Sequence, residues 1–144
     1  MYTSDDLSKA YFSWATKKIK FDQKENFVIV KTPFVDIFHD QIEVFVNKES
    51  DRYIVTDDGY TLDELDSLGI EILKFSKKRK EYFKQVLMNF GVTLKNKELL
   101  VFFDDINQFP SSQNRLIQCM LQIFDMLQLS RSKVANLFID DISD

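Results

Sequence analysis

The order of extended and helical segments predicts an α+β domain built on a mainly antiparallel sheet of about five strands. Three observations carry that expectation. Residues 41–46 set Ile42, Val44 and Val46 against Gln41, Glu43 and Phe45, the two-residue period of a half-buried strand. Elsewhere apolar residues recur every three or four positions, as they do on one flank of a helix. Along the chain these patterns read helix, three strands, two helices, a hairpin and two helices. No internal repeat or domain boundary interrupts them, so residues 1–144 read as one domain.

The first helix is expected over about residues 3–19. Thr3 and Asp6 have capping-box spacing, and Leu7, Tyr11, Trp14, Ala15 and Ile19 share a face. Extended segments follow near residues 27–30, 41–46 and 53–56. Thr61 and Glu64 suggest a second capping box, opening a short helix with Leu62, Leu65 and Leu68 that stops at Gly69. Phe83, Val86, Leu87 and Phe90 stripe a longer helix over about residues 76–90, ended by Gly91. Residues 92–94 and 98–103 form a hairpin turning at Lys95-Asn96-Lys97.

Helices over about residues 112–127 and 130–142 close the chain. The first is so apolar, at nine of the twelve positions 116–127, that it is either central to the core or shielded by a partner. The first helix and the helix over 76–90 should cover much of the sheet. The excess on the closing helices then predicts a weak or moderate homodimer through Leu116, Met120, Ile123, Leu127, Leu137 and Phe138.

Composition narrows the function classes. Hydrophobic residues make up 44% and charged residues 29%, ordinary values for a globular domain. Against 14 phenylalanines stand only 3 glycines and 2 prolines, which leaves no glycine-rich phosphate loop and makes nucleotide-dependent catalysis the least favoured activity. The formal charge of -4 disfavours a domain that mainly coats nucleic acid. One cysteine and one histidine exclude a zinc site within the chain, and Cys119 alone makes no internal disulfide, so a cytoplasmic setting is expected. No membrane association is expected either, because no apolar run approaches the ~20 residues of a bilayer span.

The densest motifs are Thr32-Pro33-Phe34-Val35-Asp36 with His39-Asp40, and Thr56-Asp57-Asp58-Gly59-Tyr60-Thr61. With Leu68-Gly69-Ile70, Phe90-Gly91-Val92-Thr93-Leu94, Arg115-Leu116-Ile117-Gln118 and Asp125, they make the chain resemble a bacterial and phage family known as DUF1828, a domain of unknown function. Members usually continue into a second uncharacterised domain, so the resemblance implies a short form without that companion. It also implies a setting in prophages and mobile elements, and no activity.

Two chemistries compete for the aspartates. Asp36, Asp40, Glu43, Asp57 and Asp58 could surround Mg or Mn for phosphodiester hydrolysis, with His39 as a proton shuttle. That would make the chain a metal-dependent nuclease or a nuclease accessory domain. Against it, Phe45 stands where many restriction-type nucleases place a lysine two residues beyond a strand acid. The alternative is turn chemistry, with Asp57-Asp58-Gly59 forming a turn and Asp36 and Asp40 capping amides.

A basic cluster, Lys74, Lys77, Lys78, Arg79, Lys80 and Lys84, lies around the start of a helix, where the dipole opposes it, and offers contact to nucleic acid or an acidic partner. The favoured expectation is a non-catalytic interaction module of mobile-element type without a cofactor. Its role would be to occupy a protein partner, for instance as an inhibitor of a host defence protein such as a CRISPR effector.

Overall fold

A computed structural model describes the backbone over residues 1–143 and the side chains over residues 1–126. Helix α1 (Ser4–Lys18) leads into strands β1 (Lys20–Gln23), β2 (Val28–Val35), β3 (Gln41–Glu49) and β4 (Arg52–Thr56). Helices α2 (Tyr60–Ser67) and α3 (Lys77–Phe90) follow, then strands β5 (Thr93–Lys95) and β6 (Glu98–Phe103) and helix α4 (Phe109–Ser143). The strands form one six-stranded antiparallel sheet in the order β1-β2-β3-β4-β6-β5, so the domain is α+β as expected. The strand missing from the sequence reading is β1, a four-residue edge whose side chains are all exposed and which therefore carries no burial pattern.

Most boundaries follow from local chemistry. Thr3 and Asp6 form the expected capping box: the Asp6 amide donates to the Thr3 hydroxyl, and the Thr3 amide to the Asp6 carboxylate. Ser76 caps α3 by accepting from the Arg79 amide. Gly91 stops α3 at φ +65, a left-handed value that most residues resist, while the Val92 amide reaches back to the Leu87 carbonyl. Asn96 and Lys97 both have positive φ, which is the two-residue turn that closes β5 onto β6.

Other expectations are corrected. The two closing helices are one 35-residue helix, because nothing between them breaks a helix and Ser130 alone does not start a new one. The short helix does not begin on a Thr61–Glu64 capping box: Thr61 lies inside α2, and Gly59 at its N-terminus supplies no side-chain cap. Nor does α1 cover much of the sheet. None of its residues is buried, and Tyr11 and Phe12 are 61% and 63% exposed. Its stripe has the right spacing, but the core forms between the sheet, α3 and α4 without any residue of α1.

In that core Val30, Val44, Val55 and Val101 project from successive strands towards Phe83, Val86 and Leu87 of α3 and Leu116, Ile117, Met120, Ile123 and Phe124 of α4. The apolar surface of α4 from Leu116 to Phe124 is thus largely internal. Leu116, Met120 and Ile123 are each 0% exposed within one chain and have no surface to offer a second copy. Leu127, Leu137 and Phe138, the other residues of the expected dimer contact, fall outside the residues whose side chains are described.

Candidate functional site

Both aspartate motifs lie where strands hand over to other elements, and the sequence dictates how each folds. Pro33 cannot donate to a strand partner, and the β2–β3 register shifts between Lys31 and Val35. The Thr32 hydroxyl fills part of that gap by donating to the Ile42 carbonyl at 2.7 Å. Beyond the shift, Asp36 organises the turn. Its Oδ1 accepts from the amides of Phe38 (2.8 Å) and Asp40 (3.1 Å), and its Oδ2 accepts from the Tyr60 hydroxyl at 2.5 Å. His39 completes the turn at φ +63 with its side chain exposed. Burial, reinforced by Asp36, pushes the Tyr60 hydroxyl far above its usual range, so it remains the donor.

Asp57 performs the same task more deeply. Its fully buried side chain accepts from the Gly59 amide (2.9 Å) and the Leu99 amide (3.0 Å) through Oδ1, and from the Thr61 amide (3.0 Å) through Oδ2. It caps α2 from two residues before Gly59 and ties that helix to β6. This explains the correction at Thr61: a carboxylate outcompetes a hydroxyl for the first free amides of the helix. Asp58 and Gly59 are consecutive left-handed residues, at φ +56 and +83, which is what bends the strand end back towards its own carboxylate. Burial raises the Asp57 carboxyl above the usual carboxylate range, and its amide partners pull it back.

The acids named by the sequence therefore separate. Asp36 and Asp57 face inward and are occupied by backbone amides. Asp40, Glu43 and Asp58 are exposed around a hollow of about 440 Å³, which Phe45, Tyr60 and the inward-facing Asp57 also line. Asp63 and Glu64 of α2 complete that rim; the sequence reading passed over Asp63 and took Glu64 only as a capping residue, although the two are neighbouring acids in that helix. Among the described residues, no three Asp, Glu, His or Cys side chains are grouped so as to hold a metal ion.

The basic cluster lies elsewhere. Lys77, Lys78 and Lys84 are exposed on α3, and Lys80 is half-buried. The Arg79 guanidinium lies over the Phe75 ring at 4.3 Å, and Lys74 pairs with Glu71 at 3.2 Å. None of the six residues lines the acidic hollow.

The family model described as "Domain of unknown function DUF1828" matches residues 32–123, and the chain belongs to that family. No curated protein and no solved structure matches the chain. The matched span opens on Thr32 in β2 and ends within α4, so it takes in both aspartate motifs and the whole α2–β6 region. Two of its further blocks meet in space, because a Cβ placed on Gly91 would come 2.5 Å from Nη1 of Arg115. No helix among the described residues is long and apolar enough to cross a membrane.

Cys119 is fully buried in α4, and burial pushes its thiol up to about 12. We expect it to resist iodoacetamide in the folded chain and to react fully in denaturant. Rapid labelling of the native protein would show that the core around α4 is more open than this packing.

Proposed function

We propose that this domain is a non-catalytic protein-interaction module of the kind phages and mobile elements carry, and that it acts by occupying a basic surface of a protein partner such as a host defence protein. One observation supports the reading above others: the division of labour among its acids. Asp36 and Asp57, the acids best placed for chemistry, are engaged by amides of their own chain. Asp40, Glu43, Asp58, Asp63 and Glu64 instead ring a hollow, and none of them is in a salt bridge among the described residues. All but the half-buried Glu64 are exposed, and surface carboxylates with no internal partner cost little to present and steer a basic surface towards them.

Capture from a bacterial lysate tests this. The tagged chain should retain a protein that the double variant Asp40→Lys/Glu64→Lys does not, while both melt at closely similar temperatures. If the parent retains nothing above an unrelated control domain, the reading should be abandoned.

A further inference from the structure

A second hollow, of about 470 Å³, lies on the other side of α2, between that helix and the β5–β6 turn. Its volume is within the ~300–1,000 Å³ typical of ligand sites. Its apolar wall is Leu62, Ile70 and Ile72, which are partly buried against the core, together with Leu73 and Leu94. Leu73 is 81% exposed and Leu94 39% exposed, although both are large aliphatic side chains. Their exposure is built into the backbone. Gly69 turns the chain out of α2 at φ +80, with the Ile70 amide returning to the Leu65 carbonyl, and a 3₁₀ turn over Ile72–Lys74 then lifts Leu73 outward.

Charge decides what this hollow accepts. Asp63, Asp66 and Glu71 stand at its edge, against Lys97 alone. Glu71 is already paired with Lys74, so Asp63 and Asp66 supply the free negative charge. Asp63 also lines the acidic hollow on the opposite flank of α2, which makes it the ridge between the two. The apolar wall is therefore continuous with a strongly acidic surface. Such a face repels nucleic acid and acidic peptides, and a neutral apolar segment would leave its carboxylates unmatched.

We infer that the α2 flank is a docking groove for an amphipathic basic segment of a partner protein. An apolar side chain of that segment seats against Ile70, Leu73 and Leu94, while neighbouring lysines or arginines meet Asp63 and Asp66. The inference rests on the interaction-module reading and specifies its surface and the chemistry of its partner.

The test uses fluorescence anisotropy on the whole chain, with a short labelled peptide of alternating leucine and lysine pairs as probe. A serine-for-leucine version and a glutamate-for-lysine version serve as comparisons. The parent should bind the leucine–lysine peptide at least about tenfold more tightly than either comparison. Leu73→Asp should weaken that binding by about tenfold, and Asp63→Lys/Asp66→Lys by at least as much. Lys77→Glu, on α3, should leave it unchanged. Because Leu73 is exposed, its variant should fold like the parent, which circular dichroism checks.

No binding by the parent overturns the proposal. So does equal binding of the serine version, which would reduce the effect to charge alone, or undiminished binding by Leu73→Asp. A lysate partner still held by the Leu73→Asp chain would leave the module reading standing and remove only this groove.

Discussion

Asp57→Ala is expected to destabilise the fold by about 3–5 kcal/mol, because it strands the amides of Gly59, Leu99 and Thr61 in the interior. For a chain of this length that lowers the melting temperature by roughly 10 °C or more. Asp57→Asn should cost clearly less, since an amide oxygen can still serve Gly59 and Leu99 while Thr61 faces a donor in place of an acceptor. Thermal denaturation of the three chains checks the order.

The same site has a pH signature with a definite sign. Burial holds the folded carboxyl of Asp57 above the range it has when unfolded. The folded chain therefore keeps that proton to higher pH than the unfolded chain does. This contribution to stability is complete below the ordinary aspartate range and is lost as the pH rises through the raised folded value. The asparagine variant lacks it, so the stability gap between parent and variant should widen on acidification. A gap that narrows instead would mean that the amides, and not burial, dominate the carboxyl.

Phe124→Ala should cost about 3–5 kcal/mol, a loss of packing and not of charge. Phe124 is wholly buried, and its ring meets Phe38 at 5.9 Å and Tyr60 at 6.3 Å, both nearly edge-on. Those two residues belong to the Asp36 turn and to the start of α2, so one side chain of α4 holds both aspartate motifs against the core. Leucine at this position should recover a large part of the loss. Denaturant unfolding measures it; a cost under about 1 kcal/mol would show that the motifs are held by their hydrogen bonds alone.

Legibility in the sequence followed locality. The Thr3–Asp6 cap, the stops at Gly69 and Gly91 and the β5–β6 turn need only neighbouring residues, and each was readable. Where the outcome depended on distant competition, reading failed. Thr61 has a capping residue's spacing, but a carboxylate four positions earlier, fixed by Leu99 of β6, takes its amide. The α1 stripe has a core helix's spacing, but the core forms between the sheet, α3 and α4 without it. At Leu116, Met120 and Ile123 of α4 the apolar excess suggested a partner contact, and burial of those three could not be seen before the sheet was assembled. The acidic hollow was legible in part: Asp40, Glu43 and Asp58 stood out, whereas Asp63, Glu64 and Tyr60 join them only once α2 is in place beside them.

Capture per folded molecule separates the acids that hold the fold from those that meet a partner. Asp57→Asn and Asp40→Lys/Glu64→Lys are compared with the parent at a temperature where all three are folded. The prediction is that Asp57→Asn melts lower yet captures its partner as the parent does, whereas the double variant melts like the parent and captures nothing. Loss of capture in Asp57→Asn with retention in the double variant would contradict it, placing the functional chemistry on the buried carboxylate.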